Sequence, residues 1–314
     1  MSQTNPHYFS YRDYLTHRFN ASVLKIPVNA GFSCPNRDGL ISVSGCSFCD
    51  NRSFSPVALS AKSVLDQLDA AIAKDKNKHG KYIAYFQPFS NTYAPLSRLQ
   101  EIFEPVIALN SIAGIAIGTR PDCFTDDIYD YLGHLANRTY CSVELGLQSA
   151  DNDVLTLHKR GHTVEDFITA VEKLHAKNIE VVAHVMVGLA PNAAEDARKT
   201  AQLLAELPVD GVKIHQLMII QGTELETMFA NHTIKVLSLE EYANIVCDFL
   251  EILRPNQHIH RIMADSKIKK GLVEPLWSAD KMKSMGFIHA VMDKREIRQG
   301  AKFHPSTRHC PDLH

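Results

Sequence analysis

The sequence predicts an α/β protein, a partial, open TIM-like (β/α)6 barrel with a short α/β extension at its C-terminus. Three observations carry that expectation. Short β-branched or apolar runs alternate with longer segments of helical period, the pattern of βα units on a parallel sheet. The units repeat about every thirty residues after the first, too few for the eight of a closed barrel. The downstream ends of the strand-like runs collect unusual polar residues, where barrels of this kind put their chemistry.

The strands are expected in VLKIPVN (23–29), YIAYFQ (82–87), IAGIAIG (112–118), YCSVELG (140–146), IEVVAHVMVG (179–188) and GVKIHQLMI (211–219). Crossover helices are expected at 63–74, 96–110, 126–136, 163–177 and 194–207, where apolar residues recur at three- and four-residue spacing. Thr163 followed by Asp166 reads as a helix start. A further helix, SLEEYANIVCDFLEILR (238–254), precedes the strand-like HIHRIM and a basic tail. The expected division is an N-terminal segment (1–22), a barrel core (23–255) and a C-terminal extension (256–314), with the boundary at Pro255.

At 314 residues, 45% hydrophobic and 22% charged, the chain buries a large core and has the composition of an ordinary soluble protein. The start MSQTNPHYFSYRDYL lacks a basic stretch leading into an apolar run, and nothing approaches the ~18 apolar residues of a membrane span, so a cytoplasmic, membrane-free protein is expected. Net charge is −2 but unevenly placed. From Arg254 onward twelve Lys or Arg face six Asp or Glu, while the rest carries 21 against 29. A basic tail on an acidic body is either a solvated face or a surface for an anionic partner such as RNA.

Seven cysteines, four of them scattered (Cys123, Cys141, Cys247, Cys310), do not make a disulfide framework. The other three stand in CPNRDGLISVSGCSFC (34–49), as Cys34, Cys46 and Cys49. Zinc normally takes four protein ligands and no second CxxC is present, although His79 or the tail histidines remain as a fourth. A redox pair would not need Cys34. A [4Fe-4S] cluster on three thiolates, with one iron open to an exogenous ligand, is the remaining option.

The cysteine loop, with Phe48 just before its last cysteine, resembles that of the radical S-adenosylmethionine (SAM) superfamily, with the first gap of the usual CxxxCxxC widened to eleven residues. IGTRPDCF (117–124), VELGLQSADNDVLTLHKRGHT (143–163) and AHVMVGL (183–189) resemble the strand ends of its Elongator catalytic-subunit-like branch. CPNRDG, FQPFSNTYAP and EPLWS (274–278) look like the bacterial YhcC/YtqA-type members, a likeness running from about Tyr8 to about Ile297.

The resemblance implies a radical SAM barrel in which Cys34, Cys46 and Cys49 hold a [4Fe-4S] cluster and SAM chelates the fourth iron. It implies that Phe48 lies against the adenine, that Gln148 and Arg160 hold the ribose and methionine carboxylate, and that His184 touches the ribose. It further implies that Ser90, Asn91 and Thr92 approach the methionine amino group, and Gln87, at the end of the second strand, is expected among the cofactor-binding residues. Gly118 stands where an acidic residue is usual, and GLAPNAAED (188–196) replaces the usual Gly-Leu-Pro-Gly-Glu.

The implied activity is reductive cleavage of SAM to a 5′-deoxyadenosyl radical, with electrons from a flavodoxin- or ferredoxin-type donor. The branch and the basic tail together suggest tRNA, at the side chain on carbon 5 of the wobble uridine, as substrate. A small metabolite or protein side chain is the alternative within this chemistry. A non-catalytic nucleic-acid-binding protein with a structural metal centre is the alternative of another class. No P-loop, strand-linked GxGxxG, HExxH or GxSxG elbow competes.

Overall fold

Each β-branched run of the sequence becomes a strand, and each amphipathic segment a helix over it. In this computed structural model, residues 5–50, 55, 57–264 and 271–305 are described. The chain runs α1 (Tyr11–Phe19), β1 (Val23–Val28), α2 (Val64–Lys74), β2 (Lys81–Phe86), α3 (Leu96–Ile107), β3 (Ile112–Thr119), α4 (Asp126–Ala136) and β4 (Tyr140–Gln148). It continues with α5 (Asn152–Leu157), α6 (Val164–His175), β5 (Glu180–Val187), α7 (Ala193–Glu206), β6 (Gly211–Gln216), β7 (Ile219–Ile220) and α8 (Glu224–Ala230). Last come α9 (Leu239–Ile252), β8 (His258–Arg261), β9 (Leu272–Glu274) and α10 (Lys281–Lys294).

Seven parallel strands form one sheet in the order β1-β2-β3-β4-β5-β6-β8, curled into a half barrel. Six were expected as the sheet, and the seventh is β8, the HIHR of the strand-like segment beyond Pro255. It pairs with β6 because Gly211 has no Cβ: one there would lie 2.2 Å from the His258 ring. Pro27, which cannot donate to a ladder, sits in β1, the other edge strand. β7 and β9 make a separate antiparallel pair.

The helices bury their apolar stripes on the outer face of the sheet. Leu99, Phe103 and Val106 of α3, Phe167, Val171 and Leu174 of α6, and Tyr242, Val246 and Phe249 of α9 are essentially inaccessible. Each such large side chain contributes roughly 1.5–3 kcal/mol by leaving water. Thr163 and Asp166 close a reciprocal capping box at the start of α6, as their spacing predicts. α1 packs on both edge strands, β1 and β8, where Ile259 donates its N–H to the Phe9 carbonyl at 2.8 Å. Among the described residues no helix is long and apolar enough to cross a membrane.

Candidate functional site at the cysteine rim

Residues 29–50, after β1, form no helix or strand, yet they are closely held. Arg37 and Asp38 donate their N–H groups to the Cys34 carbonyl at 2.8 and 3.2 Å, and Gly45 donates to the Asn36 carbonyl at 2.7 Å. The long first gap is therefore a folded excursion whose ends meet, which returns Cys46 to the neighbourhood of Cys34. Leu40 and Val43, at its tip, are exposed.

The excursion is pinned to the turn after β4. Asn36 Nδ2 donates to the carbonyls of Lys159 and Arg160 at 2.8 and 3.1 Å, and lies 3.2 Å from the Cys46 Sγ. Ser47 Oγ bonds His158 Nδ1 at 2.7 Å, and the other ring nitrogen lies 2.9 Å from the Leu189 carbonyl. Arg120, paired with Asp122 at 2.7 Å, donates to the Arg160 carbonyl at 2.5 Å. These buried residues join the loops after β1, β3, β4 and β5 into one rim. None of Asn36, Ser47, His158 or Arg120 stands out singly in the sequence, although each lies inside one of the quoted motifs: Asn36 and Ser47 in the cysteine loop, Arg120 in IGTRPDCF and His158 in 143–163.

Cys34, Cys46, Cys49, Phe48, Gln87, Ser90, Gln148, Arg160 and His184 line a single cavity at this rim. Asn91 and Thr92 are not in its wall. Asn91 spends its amide on the carbonyls of Phe86, Pro88 and Gly118, and Thr92 bonds Thr119 Oγ1 at 2.7 Å and the Cys123 carbonyl, so both build the rim from behind. Gln216 is buried against Ala264 and Ser278, away from the cavity. His79 pairs with Asp75 just before β2, at the opposite end of the barrel from the cysteines. Cys310 and Lys267, Lys269 and Lys270 lie outside the described residues.

Arg160 reaches the cavity beneath Gly146, where a Cβ would stand 3.0 Å from its Nη2. That guanidinium donates to the Gly146 carbonyl at 2.8 Å, lies 3.1 Å from the Cys46 Sγ, and leaves Nε buried without a partner among the described residues. Gln148 holds a left-handed backbone, φ 74°, at a register shift in β4. Such strain in a non-glycine residue marks functional sites.

Burial resists ionisation of Cys46, but Arg160, Asn36 and Arg120 outweigh it and lower its pKa. Burial and the neighbouring Cys46 push Cys49 up, against Arg37. Burial, with a further push from Glu180, raises Cys141 to about 12. The rim thus favours thiolate at Cys46 and surrounds the three thiols with Arg37, Arg120 and Arg160. Among the described residues no group of three His, Cys, Asp or Glu side chains is arranged to hold a single metal ion. Three cysteines lining one cavity suit a four-iron cluster, in which each ligand takes a different iron.

Below the rim, Glu144 is fully buried and bonded to His184 Nε2 at 2.6 Å, to Lys213 Nζ at 2.9 Å and to Lys25. Burial and the nearby Lys213 push His184 down to about 4, so it is a neutral imidazole at physiological pH.

Residues 33–204 match the model of the Radical SAM superfamily, and residues 209–294 that of the Radical_SAM C-terminal domain. YtqA of Bacillus subtilis (strain 168) is 38% identical over 311 residues, covering 96% of this chain and 94% of that protein. The tRNA uridine(34) acetyltransferase of Methanocaldococcus infernus is 33% identical over 54% of this chain and 32% of its own length. The structure of the archaeal Methanocaldococcus infernus Elp3 with its N-terminus deleted matches with a TM-score of 0.67 at 21% identity, covering 88% of this chain and 64% of that one.

Proposed function

The chain belongs to the radical SAM superfamily, and from that premise we propose that it modifies tRNA at the side chain on carbon 5 of the wobble uridine. It is an enzyme whose cofactors are a [4Fe-4S] cluster and SAM. When bound, these supply a 5′-deoxyadenosyl radical by reductive cleavage of SAM, for hydrogen abstraction from the substrate.

In this reading Cys34, Cys46 and Cys49 ligate the cluster. Asn36 and Arg160, which approach the Cys46 sulfur, stabilise its thiolate. Arg160, forked and always charged, takes the methionine carboxylate through N–H groups that the Gly146 carbonyl and the Cys46 sulfur leave over. Gln148 and His184 face the ribose, Phe48 packs on the adenine, and Gln87 and Ser90 approach the amino group. A flavodoxin- or ferredoxin-type protein supplies the electrons.

The observation that carries the substrate is the likeness to a tRNA uridine(34) acetyltransferase over 54% of the chain. Only a third of that relative is covered, and acetyl transfer is not carried over with it. The basic C-terminal segment would contact phosphates and set affinity rather than sequence. Part of its charge is already spent: Arg295 bonds Asp248 at 2.5 Å and Lys302 bonds Glu251 at 2.8 Å, both acids of α9.

Nucleoside profiling of tRNA from a deletion strain tests the proposal. Loss of one wobble-uridine derivative is expected. Wild-type profiles across growth conditions would move the substrate to a small metabolite or protein side chain.

A further inference from the structure

Arg37 holds the cysteine loop at both ends. Its backbone N–H donates to the Cys34 carbonyl at 2.8 Å, and its side-chain Nη2 donates to the Cys49 carbonyl at 2.5 Å. One residue thus ties the first cysteine of the loop to the last. A Cβ on Gly45 would stand 3.2 Å from Arg37 Nε and 3.3 Å from its Cζ and Nη2, near-equal distances that put the face of the guanidinium against that glycine. Gly45 also has a left-handed backbone, φ 81°, so the bare Cα serves both the turn and the close approach of Arg37.

Arg37, Cys46 and Cys49 line two cavities, the chamber at the rim and a second one of about 370 Å³. The second is bordered by the exposed Ser44, Leu59 and Gln221, and so opens outward. The three shared residues form the wall between the two. Of the arginines around the thiols, Arg120 and Arg160 line the chamber and not the outer cavity, whereas Arg37 lines both. Burial disfavours the charge of Arg37, and the rim cysteines, Cys49 first, outweigh that burial.

We propose that Arg37 is a positioning residue that sets the reduction potential of the cluster, fixing Cys49 and keeping a positive charge in the wall on its outer side. The inference rests on the reading of Cys34, Cys46 and Cys49 as ligands of a [4Fe-4S] cluster, and it adds the residue that tunes that cluster. A four-iron cluster on three thiolates is anionic and gains a further negative charge on reduction. A fixed cation beside it therefore favours the reduced form and raises the potential. Methionine at position 37 keeps an apolar stem and drops the charge; lysine keeps the charge and drops the fork.

Anaerobically reconstituted wild type, Arg37→Met and Arg37→Lys are titrated spectroelectrochemically, with iron and sulfide determined on the same samples. In Arg37→Met, at full iron content, the equilibrium constant for one-electron reduction falls at least tenfold, a lowering of about 59 mV. Arg37→Lys falls by less, because the charge remains. A smaller than tenfold fall in Arg37→Met overturns the proposal. So does an equal fall in Arg37→Lys, which would assign the effect to the fork and not to the charge. Where Arg37→Met holds no cluster, Arg37→Lys decides: full iron content with less than a tenfold fall supports the proposal, and loss of iron or a larger fall overturns it. Zinc or no cluster in the wild type overturns the reading of the cysteines as well, and the iron analysis reports that separately from the potential.

Discussion

Arg160 Nη1 lies 3.1 Å from the Sγ of Cys46, although 114 residues separate the two in the chain. That contact ties the strand-four turn to the cysteine loop and gives one side chain two tasks, stabilising a thiolate and presenting charge to the cavity. Arg160→Ala should leave the iron content intact and weaken SAM binding by about 1.5–3 kcal/mol, the range of a charge-assisted contact. The reduction potential of the cluster should fall as well, since a hydrogen bond to a ligand sulfur is lost. Equilibrium binding and spectroelectrochemical titration read the two effects, and unchanged SAM affinity would refute the assignment.

The three rim cysteines should behave unlike the others. Replacing Cys34, Cys46 or Cys49 with Ala should abolish the cluster in anaerobically reconstituted protein, which otherwise binds about four irons and four sulfides per chain. Cys141 and Cys247, both buried in the core, should tolerate replacement by Ala with full iron content. Tightly bound zinc in place of iron would sink this.

Much of this site was legible in the sequence because it lies at strand ends. Gln87 and Gln148 stand at the carboxyl ends of expected strands, Cys34 stands out by the cysteine spacing, and His184, inside an expected strand, is marked only by the family resemblance; the structure brings all four to one cavity. Asn91 and Thr92 were misplaced relative to the cavity, since a strand end supplies residues to both sides of the rim and sequence does not show which side chain is spent on backbone carbonyls. Asn36 and His158 were passed over, each tied across the rim to a partner more than a hundred residues away. The buried cluster below the rim was invisible for a related reason: Lys25, Glu144 and Lys213 belong to three strands and meet only when the sheet curls. The seventh strand was too short to count on its own, and its place depends on the bare Cα of Gly211.

Asn36→Ala should loosen the cysteine loop without touching SAM. It removes donors to the Lys159 and Arg160 carbonyls and to the Cys46 sulfur, so the cluster should be lost faster in air than in the wild type, several-fold by absorbance decay. An unchanged decay would mean the loop is held elsewhere.

Glu144→Gln should destabilise the fold by about 3–5 kcal/mol at pH 7 in urea denaturation, because it leaves Lys25 and Lys213 without their shared anion. The folded pKa of Glu144 is depressed, so its contribution is present above the unfolded carboxylate value of about 4.3 and is lost as pH falls below it. The wild type should therefore lose its advantage over Glu144→Gln in acid. Adding Lys25→Met to Glu144→Gln should recover part of the stability; no recovery would show that the charges are not coupled.

If the basic tail meets tRNA, binding should fall steeply with salt, and reversing Lys267, Lys269 and Lys270 together to Glu should weaken it by tenfold or more while 5′-deoxyadenosine formation without substrate stays unchanged. Filter binding across a salt series measures this. Salt-insensitive binding would count against a phosphate-contacting surface.

The most direct measurement is the product analysis of reduced, cluster-loaded protein mixed with SAM. The wild type should form 5′-deoxyadenosine and methionine in equal amounts, and Cys46→Ala should form neither. Failure of the wild type to form 5′-deoxyadenosine under several reductants, with four irons bound, would contradict the assignment of this rim to radical SAM chemistry.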